Sequence, residues 1–180
     1  VPRALEGKRV PSLRIWSAAC STGEEPYTVA AILRENVPGV RAEVLGTDIS
    51  EAALDSARRG VYTSYAVRGV PPAYQRKYFR TENDGYVLDE GIRKAVRFQN
   101  VNLVDEKQVR TIRDIDVIFC RNVLIYFDDK SKRKAVSLLY DALAPNGVLI
   151  VGTSESLHSV TRALQPTVVD KVVLYRKAGL

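Results

Sequence analysis

The 180-residue chain has no methionine, one histidine and two cysteines. His158 stands alone in a Ser/Thr-rich stretch and reads as a surface residue, and no cluster of His, Cys and acids compensates for it. No metal is therefore expected. Cys20 and Cys120 form no CxxC pair, so two reduced, packed thiols are expected rather than a disulfide or structural zinc. No apolar run approaches the roughly 20 residues that span a membrane. No basic-plus-apolar signal segment opens the chain. A cytoplasmic protein without membrane insertion is the expectation. Repeats and low-complexity tracts are also lacking, as is the order of residues that would suggest a Ser-His-Asp hydrolase. A start at Val1-Pro2 without any Met reads as a removed initiator or an excised piece of a longer protein.

The length suits one domain, and 46% hydrophobic with 27% charged residues is ordinary for a globular chain. A net charge of +6 favours an acidic partner, protein or nucleic acid. The cations are dispersed over Arg58-Arg59, Arg76-Lys77 and Lys130–Lys134, which also suits a solvated surface.

The most informative stretch is Ile15-Trp-Ser-Ala-Ala-Cys-Ser-Thr-Gly-Glu-Glu-Pro-Tyr27. It reads as a buried strand over 14–17, a turn of small residues, and a helix starting within 22–26. Thr22 and Glu25 have capping-box spacing, while Pro26 suits the first helical position. Val29, Ile32 and Leu33 supply the expected buried stripe. Small residues, Ala19 among them, let a ligand approach the backbone. Such turns hold nucleotide-like ligands in doubly wound folds. Glu24 and Glu25 stand where a phosphate binder needs bare N–H groups, so the pocket suits a cationic nucleoside without phosphates. S-adenosylmethionine fits that description.

Strands over 43–47, 96–99, 116–120, 148–152 and 172–176 continue the alternation, with helices over 51–59 and 130–144. The Ser50 cap and Gly60 bound the first of these helices. The short link before the last strand implies that one strand runs antiparallel. Residues 61–95 break the rhythm with six aromatics and a turn at Glu82-Asn83-Asp84-Gly85, which predicts a short helix and a small antiparallel sheet. The expected fold is α/β, Rossmann-like and mostly parallel, with this β-subdomain inserted.

Asp48 ends the second strand, where an acid accepts ribose hydroxyls; capping of the Ser50 helix is the simpler role. G-x-G-x-x-G is missing, which weakens a nicotinamide reading. Asn100-Val-Asn-Leu103 could meet an adenine edge and face, or be a polar turn. Cys120-Arg-Asn-Val-Leu-Ile-Tyr-Phe127 follows the fourth strand, where reacting groups collect, and Arg121, Asn122 and Tyr126 leave it abruptly. No Asn/Asp-Pro-Pro-Tyr/Phe motif follows, which argues against methylation of nucleic-acid bases.

Together, Trp16–Tyr27, Gly46–Ile49, Gly60–Tyr62, Val101–Leu103, Phe119–Phe127 and Gly152–Glu155 resemble the chemoreceptor glutamate methyltransferases, the CheR family. The resemblance implies a methyltransferase domain over 1–180 with the insert at about 61–95. It implies methyl transfer from S-adenosylmethionine to glutamates on cytoplasmic coiled coils of chemoreceptors, with S-adenosylhomocysteine as product. Ala19, Glu25, Asp48, Asn102, Leu103, Arg121 and Asn122 match cofactor contacts, with the roles of Glu25 and Asp48 left open. Arg121 and Tyr126 match groups near the transferred methyl. The family's helical N-terminal domain and its Thr/Phe/Arg linker have no counterpart, and Thr153 replaces a frequent His. A cofactor- or partner-binding module without methyl transfer is the alternative, and an RNA methyltransferase has only the positive charge in its favour. A monomer without nucleic-acid partner is expected. The short hairpin turn suggests that a receptor pentapeptide tether is not needed.

Overall fold

The structure, a computed structural model, describes residues 12–83 and 85–177. A seven-stranded sheet is built from β1 (Ser12–Ala18), β2 (Arg41–Asp48), β6 (Val96–Asn100), β7 (Ile115–Cys120), β8 (Leu143–Val151), β9 (Leu164–Val169) and β10 (Val172–Lys177). Their order is β6-β2-β1-β7-β8-β10-β9. All pairs among the first five are parallel, and β10 is antiparallel to both its neighbours. The expected single antiparallel strand is therefore β10. Helices α1 (Glu24–Asn36), α2 (Glu51–Arg59), α6 (Glu106–Val109) and α7 (Asp129–Ala142) belong to the connections between these strands. The insert comprises β3 (Val61–Tyr62), α3 (Ser64–Val67), α4 (Pro72–Tyr78), β4 (Phe79–Glu82), β5 (Gly85–Leu88) and α5 (Glu90–Lys94), with its own sheet in the order β3-β5-β4.

β1 explains the architecture. A parallel strand covered on both faces must be apolar on both. Leu13 and Ile15 accordingly join one core with Tyr27, Leu33, Tyr62 and Ile92, while Trp16 and Ala18 join the other with Ile118, Leu139 and Leu149. Trp16 is fully buried and its indole N–H donates to Thr47 Oγ1 at 2.8 Å, which satisfies the one polar atom of that side chain. α7 ends against β10: Lys177 Nζ donates to the carbonyls of Tyr140 and Leu143 at 3.0 and 2.9 Å, serving otherwise orphaned helix-end acceptors.

Several expectations need correction. Neither cue for the start of α1 holds. Gly23 caps it at φ 89° without any side-chain bond, Thr22 Oγ1 donates instead to the Glu24 carboxylate, and Pro26 lies third in the helix, where a missing N–H costs nothing. The stripe of α1 is rotated: Tyr27, Ala30, Ala31 and Leu33 are buried whereas Ile32 is 47% exposed. Alanines let the helix approach the sheet closely, which side-chain size alone did not signal. The Ser50 and Gly60 boundaries of α2 are as expected. Two helices, not one, precede the insert's hairpin, whose β4–β5 register closes at Glu82 opposite Gly85. The Pro145–Gly147 turn does not separate α7 from β8. It is an excursion within β8, between the Ile115–Leu143 and Val117–Val148 pairs. β9 was not expected at all; Pro166 masks it, and an edge strand tolerates that proline.

Candidate functional site

The sheet reverses its winding between β1 and β7, and ligands of open α/β sheets bind in the crevice at the carboxyl ends of the strands flanking such a point. Three residues of the turn leaving β1 are left-handed: Ala19 at φ 60°, Ser21 at 49° and Gly23 at 89°. Such backbone, in two non-glycine residues, costs on the order of 1 kcal/mol each and collects at ligand sites. A Cβ on Gly23 would stand 2.9 Å from Ala57 Cβ, so only glycine fits the turn where it packs under α2. The turn is tied down by Cys20 N–H to the Thr47 carbonyl at 2.8 Å and by Tyr62 Oη–H to the Thr22 carbonyl at 2.9 Å, the second bond coming from the insert.

Asp48 closes this turn. Its carboxylate accepts Ser21 N–H at 2.8 Å and Ser50 N–H at 2.9 Å, one on each oxygen. The cap of α2 is Ser50 itself, whose hydroxyl accepts Ala53 N–H, and Asp48 holds the N–H of that cap residue while closing the turn. An ionised carboxylate has about four lone-pair directions, so each oxygen keeps acceptor capacity. Glu25, in the first turn of α1, bridges the crevice. It accepts Ser17 Oγ–H at 2.7 Å from β1 and pairs with Arg121 Nη1 at 3.0 Å from the end of β7. The pair is 43% and 22% exposed for Arg121 and Glu25, and surface pairs of that kind contribute about 0–1 kcal/mol. A competing carboxylate can displace it.

Glu155, the last residue of the Gly152–Glu155 stretch, organises the loop after β7. Its carboxylate accepts four backbone N–H groups: Asn122 at 2.7 Å, Val123 at 3.0 Å, Leu124 at 2.8 Å and Gly152 at 2.7 Å. Asn122 is itself left-handed at φ 57°. A Cβ on Gly152 would come within 2.5 Å of Asn122 Oδ1 and 2.7 Å of Glu155 Oε2, so glycine is required beside the clamp. The only sequence signal was the glycine-to-acid spacing itself. The clamp fixes the 3-10 turn Leu124–Tyr126, which buries Leu124 and leaves Ile125 53% and Tyr126 81% exposed.

The remaining residues are placed less openly. Asn102 Oδ1 accepts Val104 N–H at 3.1 Å, and its own N–H donates to Gln108 Oε1. Leu103 is only 5% exposed and belongs to the larger core, so little of it is available as a platform. Asn100 donates its amide to the Ile49 carbonyl. Crevice residues Ala19, Glu25, Asp48, Arg121 and Asn122 therefore come together, with Asn102 on the neighbouring loop and Tyr126 exposed on the 3-10 turn that follows Asn122. Burial, aided by Asp48, pushes the Cys20 thiol up to about 12, and burial also raises that of Cys120, which marks both as packing groups. His158 is exposed. Among the described residues no three His, Cys, Asp or Glu side chains are placed to hold a metal, and no helix is long and apolar enough to cross a membrane. A separate apolar cavity of about 430 Å³ lies between α1 and the insert, lined by Tyr27, Ile32, Tyr62, Tyr74 and Phe79.

Comparison with known proteins agrees with this geometry. A family model described as "CheR methyltransferase, SAM binding domain" matches residues 1–173. Chemotaxis protein methyltransferase 2 of Vibrio cholerae is 42% identical over 153 residues, 83% of this chain and 53% of that protein. A chemotaxis protein methyltransferase of Borreliella burgdorferi is 38% identical over 150 residues, 81% and 53% of the respective chains. The chain thus spans about half the length of the curated relatives it matches. The crystal structure of DszA carbon methyltransferase aligns with TM-score 0.60 at 14% identity, covering 99% of this chain and 50% of that one, a likeness of fold.

Proposed function

The chain belongs to the CheR methyltransferase family, and from that premise we propose that it transfers the methyl group of S-adenosylmethionine to glutamate side chains on the cytoplasmic coiled coils of chemoreceptors. The product is a glutamate methyl ester, and the role is adaptation in chemotaxis. The reading places a monomer in the cytoplasm, one catalytic domain carrying the insert at 61–95, with neither metal nor nucleic acid as partner. The observation that carries it is the crevice between β1 and β7, where Glu25, Asp48 and Arg121 meet a left-handed turn of small residues.

That crevice fits a cationic nucleoside. Its carboxylates Glu25 and Asp48 stand against a single guanidinium, Arg121, which pairs with Glu25, while Glu24 takes the first position of α1, where a phosphate would seek bare N–H groups. When bound, S-adenosylmethionine supplies a methyl group on positively charged sulfur. Asp48 and Glu25 serve its ribose and methionine ends, and the Ala19 turn supplies close backbone approach. The Asn102 amide NH₂ is free of the bond that occupies its Oδ1 and can meet the adenine edge, to which Leu103 offers only the small surface that the core leaves exposed. Asn122 completes the wall next to Arg121.

The acceptor needs no general base. Glutamate, with a reference pKa of about 4.3, is ionised at neutral pH. What the site must provide is alignment and removal of water from that carboxylate. Arg121, exchanging its weak bond to Glu25 for the incoming carboxylate, positions it through a charge-assisted pair. Tyr126, exposed on the 3-10 turn, orients it by its hydroxyl. Calorimetric titration of S-adenosylhomocysteine, with amide shifts followed over 19–25, 48, 102 and 121–122, tests the cofactor half of the proposal. Saturable binding confined to these segments supports it, and absence of binding overturns it.

A further inference from the structure

Nine of the 24 lysines and arginines among the described residues are in salt bridges. Arg14, Arg34, Arg41, Arg58, Lys77, Arg80, Lys94, Arg110 and Arg121 each lie within 4 Å of a carboxylate. The first two turns of α7 gather the densest group of the others. Lys130, Lys132, Arg133 and Lys134 stand within five residues, and among the described residues none has a carboxylate at ion-pair distance. The acids of the same segment are Asp128, engaged as the N-cap of the helix through Ser131 N–H at 2.7 Å, and the exposed Asp129. Lys130, Arg133 and Lys134 are exposed, whereas Ala135, Val136, Leu138 and Leu139 are buried, so the three cations share the solvent face.

Their location is unfavourable for the helix. Lys130 lies in the first turn, at the positive end of the helix dipole, where a cation is disfavoured, and it repels Arg133 and Lys134 at i+3 and i+4. Folding alone does not ask for them there. They directly follow the 3-10 turn that exposes Ile125 and Tyr126, and that turn is fixed to the site by the Glu155 clamp. An exposed patch next to the loop that carries Arg121 therefore combines an aromatic, an aliphatic and a set of cations without salt bridges, Lys130 feeling only the field of the capping Asp128.

We infer that this patch, Ile125, Tyr126, Lys130, Arg133 and Lys134, docks an acidic amphipathic helix of the methyl-accepting partner and reads its charge. The inference rests on the function proposed above. Arg133 and Lys134 lie about 4.5 and 6 Å along α7 from Lys130, which matches carboxylates one turn apart on a partner helix, while Ile125 and Tyr126 meet its apolar side. A helix that offers glutamates for methylation is acidic by necessity. Each transfer turns one carboxylate into a neutral ester, so a charge-reading surface holds the substrate more strongly than the product and favours release after reaction. An extended phosphate strand would need cations spread beyond two helical turns, which disfavours nucleic acid.

The test uses the intact protein with Lys130→Gln, Arg133→Gln and Lys134→Gln combined. The probe is a chemoreceptor cytoplasmic fragment whose methylation sites are present as Glu or as Gln. The expected result is a KM for the Glu fragment raised at least tenfold, with kcat and S-adenosylhomocysteine affinity within twofold of wild type and a flatter salt dependence of kcat/KM. Thermal stability is expected to hold or rise, because a cation leaves the positive end of the helix. Wild-type protein should bind the Gln fragment more weakly than the Glu fragment, as a neutral ester mimic demands. Unchanged KM with transfer intact overturns the docking surface alone. An RNA duplex that displaces the receptor fragment at lower concentration than free receptor does would overturn it in favour of nucleic acid. No transfer by the wild type overturns the function it rests on, and the docking inference with it.

Discussion

If Glu155 holds the loop after β7, changing its carboxylate to an amide must loosen that loop. Glu155→Gln keeps size but leaves one acceptor oxygen for four N–H groups. Two of the four bonds to Asn122, Val123, Leu124 and Gly152 are then lost or face an NH₂ donor. Hydrogen bonds to a charged acceptor contribute about 1.5–3 kcal/mol each. Because Asn122 is reached by water, we expect roughly 2–4 kcal/mol of destabilisation for the pair of losses together. For a chain of this size that lowers Tm by about 4–16 °C. The loop also carries Arg121 and Asn122, so S-adenosylhomocysteine affinity should fall in the fraction that remains folded. Urea denaturation and calorimetry at a temperature well below the transition separate the two effects. Glu155→Asp tests geometry against charge: it keeps the charge but is one methylene short, and should rescue neither property fully. A Glu155→Gln protein with wild-type stability and wild-type cofactor affinity would refute the clamp.

Asp48→Ala should weaken S-adenosylhomocysteine binding by roughly 10–150-fold, the equivalent of a charge-assisted bond of about 1.5–3 kcal/mol; unchanged affinity by calorimetry in a folded variant would remove Asp48 from the site. Tyr126→Phe, whose side chain is 81% exposed, should leave stability and cofactor affinity intact while turnover falls, and wild-type kcat would reduce Tyr126 to a wall of the pocket. Burial raises both the Cys20 thiol and the Tyr27 hydroxyl to about 12. A raised pKa in the folded state favours the protonated form, so the stability linked to each group is complete below its unfolded pKa, about 8.5 for the thiol and 10 for the phenol. It is lost progressively as pH rises towards 12, which denaturation midpoints between pH 8 and 11.5 should show, along with a Cys20 that resists a thiol reagent at pH 8 until the chain unfolds.

The succession of strands along the parallel part of the sheet and the loops at their carboxyl ends were legible in the sequence because both follow from local patterns: apolar runs ending in Ala18-Ala19, Asp48 and Cys120-Arg121, whereas the order of strands within the sheet is set by tertiary packing. Side-chain partners across the sheet were not. Arg121 invited a direct role toward an acceptor, yet its partner in the folded chain is Glu25, 96 positions away. Glu155 offered little local pattern beyond its spacing from Gly152, because three of the four backbone donors it satisfies belong to a different loop. Gly23 prevailed over the Thr22 capping signal because the turn needs a left-handed residue with no side chain against Ala57, a constraint set by α2. The rotation of α1 reflects packing against β1 and β2, where Ala30 and Ala31 allow approach that Val29 and Ile32 do not. β9 was hidden because Pro166 is compatible with a strand only at an edge, and edges are assigned by topology rather than by sequence.

The most direct measurement is transfer of a tritiated methyl group from S-adenosylmethionine to a chemoreceptor cytoplasmic fragment by the intact protein, followed by mild base. The account predicts label in the receptor that is released by base as methanol, as expected for a glutamate methyl ester, and lost when the acceptor glutamates are replaced by alanine. Cofactor binding without any transfer, or label that survives base, would contradict it.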